Sequence, residues 1–513
     1  MMETNFLTTE KGLTYSPSDD KEDILFRLRP YMTYVVYKSG QQLDLPTDNN
    51  CLYFVEKGLV EVSYESKGTK IVVALIGKGE FFGEVGFIDG RTRVRKIKAR
   101  EESHILCLTS TRFSKLRFKD PLLYGDTLKL ISHSICKRFR QIASESKPLV
   151  SYSALLSAGR VPLFREVKPV PEKMFTSELW RRVSNKVEQF KGAMYKIAND
   201  AQILYGSQLF DACYPEVEAL IDAFDRDLEQ LAREQDTSGE VLDYIWGYIF
   251  KEIFPYFMRS RFAQRAYFKP KGYAGDFLMM EAIYRNKPEG EGNLGLLIDK
   301  YCLNTTPARA VRERRRLLAK LLEKEARARV ENECKSTNKI NIMNLACGSN
   351  RELFDFLKKF EATDLIEAIC IDADKDALEY TSEKVDVFPH EAEIMLMQEN
   401  VVKWAIGRSR HNFGKQDIIY SAGLTDYLDD RLFIALVKKA RDYLKPGGVL
   451  ILSNFSINNP NKAWMDHILQ WKLIHRSKQD LERLFRAGGF GQSIEVFHEK
   501  EGVNLFAIGR KET

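Results

Sequence analysis

Residues 340–350 read Ile340-Asn-Ile-Met-Asn-Leu-Ala-Cys-Gly-Ser-Asn350, an apolar run that closes on small residues just before the helical pattern of RELFDFLKKF at 351–360. A strand ending in small side chains lets a ligand approach the backbone closely. Twenty-four residues beyond Gly348 the next apolar run ends in Asp372. A carboxylate at that edge of a parallel sheet is placed to accept hydrogen bonds from a ribose diol. Gly348 and Asp372 therefore form a candidate nucleoside site, although a small-residue turn alone also serves packing in many βα units.

Working outward, strands alternate with helices: INIMNLA, a helix from about 351, AICIDA, a helix from about 375, IMLMQEN, DIIYSAG, a helix over 430–444, and GGVLILSNF. Such alternation predicts a mostly parallel sheet with helices on both faces over residues 336–513. With the Lys445-Pro-Gly-Gly448 turn entering the last of these strands, the order and spacing resemble class I S-adenosylmethionine-dependent methyltransferases, a Rossmann-like α/β fold. The resemblance implies S-adenosylmethionine as cofactor. It places Ala346, Gly348 and Ser349 on the methionine part, Asp372 on the ribose, and Asn400 with Val401 beside the adenine, with Ser421 at the end of the fourth strand also on the cofactor side. Asn344 stands where an acidic residue is commonest, and Ala346 and Asn350 replace glycines. A dinucleotide-binding dehydrogenase fits less well, since the loop lacks GxGxxG.

A sulfonium methyl needs a nucleophile held in line and shielded from water, so positioning supplies much of the catalysis and no metal is expected. An ionised carboxylate acceptor needs no base; a hydroxyl acceptor needs one within reach. Tyr420, Asp426 and Tyr427 in DIIYSAGLTDYLDD are the catalytic candidates, with helix capping and packing as their structural alternatives.

Upstream, residues 175–335 carry helical patterning, interrupted by AYFKPKGYAGDFLMMEAIY at 266–284. Its two glycines permit a turn in which Tyr273 and Asp276 offer polar groups, as a lid would; the alternative is an interhelical turn with Asp276 as N-cap. Phe277, Met279, Met280 and Tyr284 are candidates for an acyl pocket. LACGSNRE, DIIYSAGLTDYLDD and this segment together resemble bacterial proteins that make 3-hydroxy fatty acid methyl ester signals. That resemblance implies a fatty-acid carboxylate as acceptor. The basic stretch Arg312–Arg316 reads as a solvated amphipathic helix, and no nucleic-acid partner is expected.

The first 146 residues differ in kind. Short β-rich segments run from about 22 to 110, and Lys57-Gly58 inside CLYFVEKGLVEVSYES (51–66) predicts a hairpin. Closely spaced strands suggest a jelly roll, and residues 121–143 have the spacing of a helix leaving it. Gly79-Glu-Phe-Phe-Gly-Glu-Val-Gly-Phe87, followed by a stretch in which six of the ten residues from Arg91 to Arg100 are basic, resembles the phosphate-binding cassette of cyclic nucleotide-binding domains. The resemblance implies roles for Gly83 at the phosphate, Glu84 at the ribose and Arg93 as the neutralising arginine. Val94 and Arg95 depart from the usual hydroxyl and small residues, leaving a different anionic ligand or a homodimer through the exit helix as alternatives. Residues 147–174, with Pro148, Pro162, Pro169 and Pro171, read as a linker.

A chain of 513 residues implies about three domains. With 44% hydrophobic and 29% charged residues it has a globular composition, and a net charge of +6 does not demand a polyanionic partner. The eight cysteines show no CxxC pairing. No apolar run is long enough to span a bilayer and the opening MMETNFLTTEKG is polar, so a cytoplasmic protein is expected. The expected function is methylation of a small-molecule or lipid acceptor under an N-terminal sensor; the alternative is an inactive scaffold that binds nucleotide or cofactor.

Overall fold

The computed structural model describes residues 17–43, 51–66, 69–90, 96–136, 138–139, 170–201, 204, 206–234, 239–332, 339–385, 387, 389–409, 411–492 and 494–512. The chain divides into two compact units, 1–151 and 152–513. In the first, two antiparallel sheets form a sandwich. One orders Thr33–Tyr37, Ser103–Thr109, Cys51–Lys57 and Phe81–Phe82; the other orders Thr69–Ile76, Val60–Ser66 and Lys96–Ala99. The hairpin expected at Lys57-Gly58 does not form: Cys51–Lys57 and Val60–Ser66 lie in different sheets, and the hairpin partner of Val60–Ser66 is Thr69–Ile76. Gly58 makes the crossing, at φ +97°, where a Cβ would stand 2.4 Å from the Ser103 hydroxyl and 2.5 Å from the Glu102 carbonyl. Leu123 and Ile131 of the helix that leaves the sandwich are buried in its core, against Leu52, Phe81 and Leu106.

In the second unit, seven strands form one sheet: β1 (Ile340–Leu345), β2 (Ile366–Asp372), β3 (Glu393–Gln398), β4 (Gln416–Ala422), β5 (Leu444–Phe455), β6 (Ile494–His498) and β7 (Asn504–Arg510). Their order is β3-β2-β1-β4-β5-β7-β6; the first five are parallel, and β7 runs antiparallel to both neighbours. Burial on both faces explains the near-continuous apolar strands. Along β1, Ile340 and Ile342 pack with Leu318, Leu322 and Phe356, while Met343 and Leu345 pack with Phe433, Leu436 and Leu481. The order reverses between β1 and β4, which opens a crevice at the carboxyl ends of the strands.

The helices of 178–332 do not make a separate body. Phe190, Phe224, Phe257 and Tyr301 share one core with Phe455, Trp464, Ile468 and Trp471, from β5 and the segment after it. The last helix, Thr306–Asn332, lies on the sheet itself through Leu318, Ala319, Leu322 and Ala326. A division at 335/336 therefore cuts through shared cores. Among the described residues no helix is long and apolar enough to cross a membrane.

Candidate functional site

The loop after β1 is wound tightly. Ala346, Gly348 and Asn350 have φ of +57°, +54° and +54°. Left-handed backbone costs an alanine about 1 kcal/mol, so this conformation is held by its surroundings. The Asn350 side chain accepts from Asn344 Nδ2 at 2.7 Å and donates to Cys370 Sγ at 3.2 Å, which fixes the turn. The Gly348 N–H donates to Asp372 Oδ2, and the Asp374 N–H to Asp372 Oδ1, both at 2.8 Å. Burial pushes the Asp372 carboxyl above its ordinary range, against the pull of these N–H groups.

Around this loop lies a cleft of about 440 Å³, within the range of small-molecule sites. Ala346, Gly348, Ser349, Asp372, Asn400 and Val401 all line it, as do Tyr273, Asp426 and Tyr427. Residues far apart in the chain thus meet around one cleft. Asn400 also caps the Val401–Ala405 helix by accepting the Lys403 N–H at 3.0 Å.

The opposite wall comes from the helical region. Lys271 pairs with Asp374 at 3.1 Å and with Asp376, tying the 269–276 turn to the loop after β2. Tyr273 meets Tyr427 edge to face at 5.9 Å. The Tyr427 hydroxyl accepts from Trp471 Nε1 at 2.9 Å, and burial pushes its pKa well up. Gly275 is required here: a Cβ would lie 2.5 Å from the Tyr427 hydroxyl and 3.1 Å from the Trp471 ring.

Four expectations change in the folded chain. Tyr420 is fully buried among Ile342, Ile451 and Leu318 and does not itself line the cleft, although its strand neighbour Ala422 does. Ser421 also stays below the surface of the cleft, its hydroxyl donating to the Leu345 carbonyl at 2.6 Å and so joining β4 to β1. Asp276 is an N-cap: it accepts the Met279 N–H at 2.9 Å and holds Arg265 through two 2.8 Å bonds. Among the acyl-pocket candidates, Phe277, Met280 and Tyr284 line the cleft while Met279 packs into the helical core.

Two charged lining residues are not among the sequence candidates, Glu352 and Arg314. Glu352 is buried and accepts from Asn344 Nδ2 at 3.1 Å, so a carboxylate stands beside the asparagine that occupies the usual acidic position. Its signal was only its place eight residues after Asn344. Arg314 belongs to the helix read as solvated, yet it is buried and lines the cleft. Asp426, 3.9 Å from it, accepts the Phe455 N–H at 2.6 Å; burial raises the Asp426 pKa to about 6.

In the first unit, Gly83 begins the Glu84–Asp89 helix at φ +81°, where a Cβ would stand 2.7 Å from the Cys51 carbonyl. Glu84 is buried and ion-paired at 2.8 Å with Arg138 of the exit helix, and burial raises its pKa although Arg138 opposes the shift. Arg93, Val94 and Arg95 lie outside the described residues.

Residues 35–120 match the family model of the cyclic nucleotide-binding domain. Residues 273–376 match a family model described as "Putative methyltransferase"; they run from Tyr273 through Arg314 and the Gly348 loop to just beyond Asp372. Among solved structures, a Bordetella parapertussis protein described as a possible exported protein is 15% identical, with 66% of this chain and all of that one covered, at a TM-score of 0.37. A cyclic nucleotide-binding domain from Methylobacillus flagellatus is 23% identical over 23% of this chain and 68% of its own, at 0.22. An S-adenosylmethionine-dependent methyltransferase from Clostridium acetobutylicum is 13% identical over 36% of this chain and 89% of its own, at 0.25. The region that matches the methyltransferase model thus follows, in the same chain, a region that matches the cyclic nucleotide-binding domain.

Proposed function

We propose that the protein transfers a methyl group from S-adenosylmethionine to the carboxylate of an apolar acid, of which a 3-hydroxy fatty acid is an example, in the cytoplasm and under control of its N-terminal domain. The observation that carries this reading is the cleft, in which Asp372 and the left-handed Gly348 loop share one cavity with an apolar wall built by Phe277, Met280 and Leu424. The donor set suits the cofactor. Asp372 keeps lone pairs for two ribose hydroxyls after accepting its two backbone N–H groups. Glu352 would take the amino group, and Asn400 with Val401 would border the adenine. When bound, S-adenosylmethionine supplies an electrophilic methyl on a sulfonium. An open cavity weighs against the scaffold alternative.

Both base candidates in the cleft are engaged, Asp426 by the Phe455 N–H and Tyr427 by Trp471. An acceptor that is already ionised asks neither to remove a proton; these residues then hold the walls and limit water. For regulation, a ribose hydroxyl on Glu84 would compete with Arg138, and so loosen or tighten the exit helix. The exit helix also leaves Leu122 and Phe139 exposed, which supports its use against a second copy.

Calorimetry with S-adenosylmethionine and S-adenosylhomocysteine tests the core of the reading: the parent protein binds both, and Asp372→Ala weakens binding by about 100-fold, as expected for losing hydrogen bonds to a charged group. Absence of binding in the parent protein would remove the cofactor assignment. Incubation with labelled cofactor and a cell extract identifies the acceptor, and turnover with saturating cyclic AMP or cyclic GMP tests the effector.

A further inference from the structure

Two arginines are buried among the described residues, Arg314 and Arg476. They are treated differently. Arg476 donates to the Thr425 carbonyl at 2.9 Å, Asn454 Oδ1 at 2.8 Å and the Leu428 carbonyl at 2.6 Å. Arg314, with five N–H donors, reaches Asn504 Oδ1 at 3.3 Å and Met280 Sδ at 3.8 Å, and its Nε has no hydrogen-bond partner. Its nearest carboxylate, Asp426, is 3.9 Å away. Neighbours on the same helix are satisfied at short range: Arg315 holds Asp355 at 2.6 and 2.8 Å, and Arg312 donates to the Leu303 carbonyl at 2.8 Å.

A buried cation left so poorly paired is costly unless an anion completes it. The guanidinium faces the cleft beside Gly423, where a Cβ would stand 3.0 Å from Nη2. A side chain at 423 would therefore crowd the fork. The surrounding wall is apolar, from Met280, Val311, Leu424 and Phe455. An anionic head on an apolar body matches that lining, and a planar fork matches a carboxylate.

We infer that Arg314 anchors the acceptor's carboxylate, an assignment that rests on the methyltransferase reading given above and names the residue that selects its substrate. Transfer forms a carboxylate O–CH3 bond as the S–CH3 bond breaks and sulfur keeps the electron pair. The anion becomes a neutral ester and no proton moves. Arg314 thus holds the substrate more strongly than the product, and its contribution falls on KM rather than kcat. Asp426 faces the same guanidinium, so its carboxylate competes with the acceptor; raised to about 6, it takes up a proton more readily than an ordinary aspartate when a second anion arrives.

Decanoate and 1-decanol, titrated calorimetrically into the protein with and without S-adenosylhomocysteine, test the inference. The parent is expected to prefer decanoate by about 10- to 100-fold, the range of a charge-assisted bidentate contact. Arg314→Gln removes that preference, Arg314→Lys keeps part of it, and Asp426→Asn strengthens decanoate binding. In turnover with 3-hydroxydecanoate, Arg314→Gln raises KM by a similar factor with kcat within about threefold. The double variant Arg314→Gln/Asp426→Asn separates anchoring from a structural role. If Arg314 served only to neutralise Asp426, the double variant would regain the decanoate preference, and the inference would fall. It would fall equally if the parent bound both probes alike or Arg314→Gln kept the preference. Loss of S-adenosylhomocysteine binding in the parent would sink the cofactor reading instead, while the titrations without it still report on Arg314.

Discussion

Asp225 sits at the seam between the helices and the segment after β5, and its titration should be visible in the stability of the second unit. It is 5% exposed; Oδ2 accepts Asn461 Nδ2 at 2.6 Å and Oδ1 has no hydrogen-bond partner. Burial raises its pKa from 3.8 to about 7; the Asn461 bond opposes the shift, Glu229 and Asp222 add to it, and Arg226 opposes it. A carboxyl whose folded pKa exceeds its unfolded value stabilises the fold fully below about pH 4, and that contribution disappears as pH rises through about 7. Moving the carboxyl from 3.8 to about 7 corresponds to about 4 kcal/mol, of which about 2–3 kcal/mol falls between pH 5 and pH 8. Asp225→Asn keeps an acceptor for Asn461 and cannot ionise. Its stability relative to the parent should therefore climb by that amount over the same interval. All five tryptophans lie in the second unit, so urea unfolding followed by tryptophan fluorescence at pH 5, 6, 7 and 8 isolates the effect. A parent-to-variant difference that stays constant with pH would refute the assignment of Asp225 as a buried, protonating carboxyl.

Three further outcomes are expected. Gly275→Ala drives a methyl group into the Tyr427 hydroxyl and Trp471; it should cost about 1–3 kcal/mol as overpacking does and lower turnover at least tenfold, read by unfolding and methyl-transfer assays. Ala346→Gly relieves a left-handed alanine and should raise stability by up to about 1 kcal/mol, with unchanged or tighter S-adenosylhomocysteine binding by calorimetry. Arg138→Ala leaves Glu84 buried without its counter-ion; the loss should be about 1–3 kcal/mol, seen as faster hydrogen exchange over residues 81–90 and as an unchanged tryptophan transition.

The elements that line up with local periodicity were legible before folding. The parallel strands of the last domain read as apolar because both faces are covered, and Gly348 with Asp372 stood out because close backbone approach and ribose binding each demand a particular residue type. The two strands at 494–510 were passed over. They are an antiparallel hairpin that follows the parallel units and the Lys478–Ala487 helix, with no helix between its two strands to announce the second. Gly58 was misread for a related reason: a glycine between two alternating runs looks the same whether the chain turns back within one sheet or crosses to another.

What the sequence by itself determined is local: strand and helix, the small-residue loop, the acid after it, and the kind of chemistry those permit. Only the tertiary structure decided which polar groups face the cleft. Arg314 and Arg315 are adjacent in the chain, yet one aims at Gly423, Asp426 and Asn504 while the other clasps Asp355. Glu352 turns inward to stand beside Asn344, and Asp276 turns to Arg265. The physical reason is that periodicity assigns a residue to a side of its own element, whereas the partner packed against that side comes from another element, from eight to nearly two hundred positions away in these cases, and it alone sets whether a charge meets water, a counter-ion or an open cavity.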